Sequence, residues 1–123
     1  MARIMVLDDV MDAGVLIKAI LSRKGHEVFP FTEEEEALKF IADGNMVDLA
    51  ILDMKLKKMS GIEVLEEIRK MNQDIKVMML TGYPTIETAR QALNLGASEY
   101  CVKPIDKKEL EEKVAGLIGD VKD

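Results

Sequence analysis

The chain alternates between two kinds of apolar pattern. Short runs that are largely apolar throughout occupy Arg3 to Leu7, Glu27 to Phe31, Leu49 to Leu52, Ile75 to Thr81 and Glu99 to Val102. Four consecutive apolar side chains, as in Leu49-Ala50-Ile51-Leu52, suit a strand covered on both faces, the situation of a parallel sheet. Between the runs, apolar residues recur at helical spacing. Val15, Leu16, Ala19 and Ile20 mark a helix from about Met11 to Lys24, halted by Gly25. Thr32 with Glu35 reads as a capping box opening a second helix, whose inner stripe is Ala37, Leu38 and Ile41 and which stops at Gly44. The run Glu33 to Glu36 reads as a solvated first turn, favoured by the helix dipole. Ser60 with Glu63 opens a third helix, with Ile62, Leu65 and Ile68 facing inward. A fourth runs from about Thr85 to Leu95 and ends at Gly96. Asp106 and Glu109 cap a fifth, with Leu110, Val114 and Leu117 as its stripe.

Five strand-helix units without a tight hairpin signal imply parallel strands joined by right-handed crossovers, hence a three-layer α/β domain. Pro30 lacks an N–H, which places the second strand at a sheet edge. That fits the flavodoxin-like order 2-1-3-4-5, in which the first and third strands are neighbours and Asp8 and Asp9 come beside Asp53. One domain spans residues 1–119, and the tail, from Gly119 to Asp123, is expected to be frayed.

Composition narrows the function. The 123 residues suffice for one domain, and 48% hydrophobic with 33% charged residues is an ordinary globular mixture. A formal net charge of -6 argues against binding a nucleic-acid backbone, whose affinity comes from Lys and Arg. Cys101 is the only cysteine, so no internal disulfide forms; in a strand it reads as a small buried hydrophobe in a reducing compartment. No apolar run reaches membrane length, and Arg3, Asp8 and Asp9 interrupt any signal-peptide pattern, so the expectation is a cytoplasmic protein without a membrane partner. His26, the only histidine, reads as a surface residue in a turn at the edge opposite Asp53, and Met78 and Met79 as core filling.

In open parallel sheets ligands bind at the carboxyl ends of the strands. Three carboxylates (Asp8, Asp9, Asp53), the hydroxyl of Thr81 and the ammonium of Lys103 converge there. Each close carboxylate pair costs about 4 kcal/mol at ~4 Å and an effective dielectric of ~20. Three such pairs rival the whole stability of a small domain, about 5 to 15 kcal/mol. Lys103 offsets part of this, and a hard divalent cation with oxygen ligands, Mg²⁺ first, offsets more.

Asp8-Asp9, Leu52-Asp53-Met54, Thr81-Gly82 and Lys103-Pro104 together resemble the receiver domain of bacterial two-component response regulators, over essentially the whole chain. The resemblance implies that Asp53 is the phosphoacceptor. It implies that Asp8, Asp9, Asp53 and the backbone carbonyl of Lys55 hold Mg²⁺, that Thr81 and Lys103 contact the phosphoryl oxygens, and that Lys103-Pro104 is cis. It implies a switch in which Thr81 moves inward and Tyr100 fills the vacated space, changing an output face made of the fourth helix, fifth strand and fifth helix. Tyr100 has a plainer reading, a strand aromatic with its hydroxyl in solvent. The implied phosphoryl donor is a histidine kinase or a histidine phosphotransfer protein, with Met11, Gly14, Val15 and Lys18 as a docking surface, although a core role for Val15 is equally open. The implied protein catalyses only its own phosphorylation and dephosphorylation, and is a monomer or a phosphorylation-dependent dimer.

Two positions depart from the family. Lys57 stands where a proline usually stiffens the loop after the phosphoacceptor, so a more mobile loop is expected, with Lys55, Lys57 and Lys58 solvated. Val10 stands where a polar residue often follows the acidic pair. Lys55 and Tyr83 resemble the positions flanking the path of the hydrolytic water, which suggests slow self-dephosphorylation. Other readings are an Mg²⁺-dependent phosphohydrolase, a nucleotide or flavin binder and a receiver-shaped scaffold that never needs phosphate. Against the first, Lys55 occupies the place of a second acid; against the second, the first strand ends in two anions and no phosphate-binding glycine loop is present. The stretch Thr81 to Ala89 looks like receivers of enhancer-binding activators, whereas Leu52-Asp53-Met54-Lys55 also looks like stand-alone phosphorelay receivers.

Overall fold

The computed structural model describes residues 1–119. Five strands, β1 (Arg3–Leu7), β2 (Glu27–Phe31), β3 (Leu49–Leu52), β4 (Lys76–Thr81) and β5 (Glu99–Val102), alternate with five helices. These are α1 (Met11–Ser22), α2 (Glu34–Ala42), α3 (Gly61–Met71), α4 (Ile86–Asn94) and α5 (Lys107–Ile118). The strands form one sheet in the order β2-β1-β3-β4-β5, every pair parallel. Pro30 lies on edge strand β2, opposite Val6, so the central ladders lose no donor. The tail expected to fray lies, beyond Gly119, outside the described residues.

Alternation along the strands divides the core in two. Met5, Leu7, Ala50, Leu52, Val77 and Met79 face α2, α3 and α4, while Ile4, Val6, Leu49, Ile51, Met78 and Leu80 face α1 and α5. Cys101 packs in the second layer, and burial pushes its thiol up from the ordinary value. Helix ends follow local chemistry where small side chains reach backbone: Ser60 and Glu63 form a reciprocal capping box, and Thr85 and Asp106 accept the N–H groups of Thr88 and Glu109. Gly25, Gly44 and Gly96 take positive φ where the first, second and fourth helices end.

Three local expectations are corrected. The inward face of α1 is Gly14, Ile17 and Leu21, while Val15, Leu16 and Ala19 are exposed. The phase is set by Gly14, whose missing side chain admits Pro30: a Cβ there would stand 3.2 Å from the proline Cβ. Thr32 and Glu35 make no capping box, because α2 starts at Glu34 with Glu33 as an uncapped N-cap. His26 is buried: the turn at Gly25 folds the chain back, with His26 N–H donating to Leu21 and Glu27 N–H to Ala2, and this seats the imidazole beneath the sheet edge opposite Asp53.

Candidate functional site

The ladder carries the acidic residues to one place. Asp53 N–H donates to the Leu7 carbonyl at 3.0 Å, which sets the end of β3 level with the end of β1 and puts Asp53 beside Asp8. One carboxylate oxygen from each of Asp8, Asp9 and Asp53 lies within 4.8 Å of the others. Asp8 and Asp53 are buried and Asp9 is half-buried. Asp8 accepts the N–H of Val10 at 2.9 Å, so the departure at position 10 leaves the backbone of the acidic turn anchored.

Lys103 enters from the far side, following β5. Its N–H donates to the Thr81 carbonyl at 2.7 Å, and the Lys103-Pro104 peptide is cis, as expected. The ammonium stands 2.6 Å from Asp8 Oδ2 and 3.3 Å from Asp53 Oδ2. Burial pushes the Asp53 carboxyl up; Lys103 opposes this and the Asp8 charge adds to it, so the net direction is upward. Burial pulls the Lys103 ammonium down, but its hydrogen bond to Asp8 and the charges of Asp53 and Asp8 outweigh that, and it titrates higher than usual. Three carboxylates face a single close ammonium here, and three hard oxygen donors so disposed fit Mg²⁺.

Asp53 Oδ1 accepts the N–H of Met54 at 2.7 Å, which fixes the carboxylate plane while Oδ2 faces Lys103. Thr81 is fully buried, and its Oγ1 accepts the N–H of Tyr83 at 3.0 Å. Tyr100 is half-buried, packed against the first core layer, and its hydroxyl pairs with Thr88 Oγ1 at 2.7 Å rather than pointing freely to solvent. Lys55 places its ammonium 4.2 Å from the ring centroid of Tyr83.

Two residues escaped the sequence reading. Gly61 opens α3 directly against the end of β3: its N–H donates to the Met54 carbonyl at 2.8 Å, and a Cβ would stand 2.2 Å from the Asp53 carbonyl oxygen. A glycine at the first position of a helix is the signal that was available. Glu34, read as solvated, is 1% exposed and accepts the N–H groups of Lys58 and Met59. These hydrogen bonds tie the lysine-rich loop to α2, while its lysine side chains are solvent-exposed as expected. Lys57 pairs with Glu33 at 2.9 Å and Lys58 with Glu35 at 2.7 Å. On α1, Met11, Val15 and Lys18 are exposed and Gly14 is not. Among the described residues no helix is long and apolar enough to cross a membrane.

The sequence profile of the response regulator receiver domain matches residues 4–115. The chain is 34% identical over 118 residues to the chemotaxis protein CheY of Treponema pallidum, covering 94% of this chain and 82% of that protein. It is 33% identical over 108 residues to the transcriptional regulatory protein ZraR of Escherichia coli, covering 88% of this chain and 24% of that longer protein. The crystal structure of the response regulator TrrA of Thermotoga maritima, in complex with Mg²⁺-BeF, superposes with a TM-score of 0.84 at 40% identity, over 95% of this chain and 99% of that one. With the sheet order, the acidic cluster and these matches in agreement, the chain belongs to the response regulator receiver domains, the phosphoacceptor signalling domains of two-component systems.

Proposed function

We propose that Asp53 is the phosphoacceptor of this domain. The observation that carries the reading is the convergence of Asp8, Asp9, Asp53 and Lys103 at one sheet edge, with Lys103 within 3.3 Å of Asp53. Asp53 Oδ2 forms a bond to phosphorus while the bond from phosphorus to the donor imidazole nitrogen breaks, and that nitrogen keeps the electron pair. The Met54 N–H holds the other carboxylate oxygen in place during attack. Lys103 and the Thr81 hydroxyl offer N–H and O–H donors to the transferred phosphoryl oxygens. Asp8, Asp9, Asp53 and the Lys55 carbonyl would hold Mg²⁺, which would supply positive charge to the same oxygens.

The donor is a histidine kinase or a histidine phosphotransfer protein, docking over the exposed residues Met11, Val15 and Lys18 of α1. Phosphorylation acts through Thr81 and Tyr100 on the face of α4, β5 and α5. Residues 1–119 form the receiver unit, residues 120–123 its tail, and the domain works in the cytoplasm. It turns over no other substrate, catalysing only its own phosphorylation and dephosphorylation.

Intact mass after incubation with a small acyl phosphate tests the reading. A phosphoryl increment that requires Mg²⁺ and vanishes in Asp53→Asn is the expected result. An increment that survives in that variant, or none at all in folded wild type, overturns it.

A further inference from the structure

The loop from Met54 to Met59 joins the phosphoacceptor strand to α3 and, on the reading above, carries the Lys55 carbonyl that completes the metal ligands. Its two ends are fixed by hydrogen bonds of Met54 and by an isolated bridge between Lys55 and Ser60. Its middle contains three consecutive residues, Lys57, Lys58 and Met59, without the proline that usually limits such a loop. What holds the middle is a residue from another element. Glu34, the first residue of α2, sends one carboxylate oxygen to the backbone N–H of Lys58 and, at 2.8 Å, to that of Met59.

Two successive N–H groups converging on one oxygen form a small anion-binding concavity, and hydrogen bonds to an ionised acceptor are among the stronger ones. Glu34 is 1% exposed, so water competes poorly for either bond. Its second oxygen is buried with no hydrogen-bond partner among the described residues, an expensive position for a carboxylate unless the first oxygen is firmly engaged. The neighbouring pairs, Glu33 with Lys57 and Glu35 with Lys58, have side chains 36% to 74% exposed and are screened by salt, so they add little. Glu34 itself is not one of the clustered metal-ligand candidates.

We infer that Glu34 is a positioning residue of the phosphorylation site: by clamping the backbone at Lys58 and Met59 it holds the loop, and with it the Lys55 carbonyl, in the arrangement that binds Mg²⁺. It takes over the task that a proline at position 57 performs by restricting the chain. The inference rests on the assignment of Asp8, Asp9, Asp53 and Lys55 to the metal.

The test compares wild type, Glu34→Ala, Glu34→Gln, the double variant Glu34→Ala with Lys57→Pro, and a control, Glu33→Gln with Glu35→Gln. Mg²⁺ affinity is measured by titration followed through amide NMR, loop protection by hydrogen exchange at Lys58 and Met59, and folding by thermal unfolding. Loss of Glu34 should weaken Mg²⁺ binding about tenfold or more, the scale of lost outer support for a metal site. Exchange at Lys58 and Met59 should accelerate, and Lys57→Pro should restore much of the affinity, whereas the control should bind like wild type. If Glu34→Ala does not fold, the isosteric Glu34→Gln decides on the same readouts. Undiminished Mg²⁺ binding in a folded Glu34 variant, an equal loss in the control, or no rescue by proline overturns the inference and leaves the site assignment standing. Wild type that binds no Mg²⁺ overturns the site assignment, and the inference with it.

Discussion

The hydroxyl of Tyr100, on β5, lies 2.7 Å from the hydroxyl of Thr88, in the first turn of α4. Thr88 in turn pairs with Thr85, the N-cap of that helix, at 2.8 Å. Three hydroxyls thus connect the aromatic side chain on β5 to the start of α4. Thr88→Val keeps the shape and removes the link. It should cost about 0.5 to 1.5 kcal/mol in urea unfolding and speed amide exchange in the first turn of α4. Unchanged exchange there would mean that Tyr100 and α4 move independently.

Crowding of carboxylates makes a stability prediction with a definite sign. Burial holds the Asp53 carboxyl above its ordinary value; Lys103 opposes this and Asp8 adds to it. A raised value means that the folded state favours protonated Asp53. That contribution is complete below the unfolded carboxylate value, about 3.9, and is lost as pH rises through the raised folded value. Without divalent cations, Asp53→Asn should therefore melt higher than wild type at pH 7, and the gap should narrow as the solution is acidified. Mg²⁺ should narrow it as well, by stabilising wild type alone.

Gly61 predicts the reverse, a substitution the fold cannot absorb. A Cβ at this position meets the Asp53 carbonyl oxygen at 2.2 Å and the Met54 Cα at 2.9 Å, both backbone atoms of the site. Gly61→Ala should lose about 1 to 3 kcal/mol, the range for an overpacked position, and should slow phosphorylation by displacing Asp53. Equilibrium unfolding and the rate of mass gain with acyl phosphate measure the two effects separately.

The ammonium of Lys55 stands over the ring of Tyr83, and the two residues lie two positions beyond Asp53 and Thr81. Tyr83 is 61% exposed, so the contact is of the surface kind, worth about 0.5 to 1 kcal/mol. Removing both side chains should shorten the lifetime of the phosphorylated form about two- to fivefold. A lifetime equal to or longer than that of wild type would show that the pair does not shield the acyl phosphate.

The sheet was legible because its central strands, β1, β3 and β4, are buried on both faces: Leu49 to Leu52 is apolar at every position and stops abruptly at Asp53, so strand end and candidate site residue announce each other. Pro30 marked the edge for an equally simple reason. Helix phase was harder. In α1, Val15 and Leu16 are as apolar as Ile17 and Leu21, and the deciding residue is Gly14, which contributes an absence of volume rather than hydrophobicity. Glu34 was hidden differently. Within a run of four identical residues nothing local distinguishes the one that turns inward, since its partners are backbone N–H groups 24 and 25 positions away. The site residues at strand ends need only topology to be found; the residues that hold the loop need tertiary contacts, which no spacing along the chain reveals.

The proline in β2 has an effect beyond its own strand. A sheet with open sides is a template on which a stray strand, from another copy or an unfolded neighbour, can polymerise. On one side of this sheet Pro30 leaves a gap in the row of donors, and on the other β5 is only four residues long, ending at the exposed Val102. Neither rim offers an incoming strand a long, complete ladder. Such rims disfavour edge-to-edge association between one copy of the sheet and another.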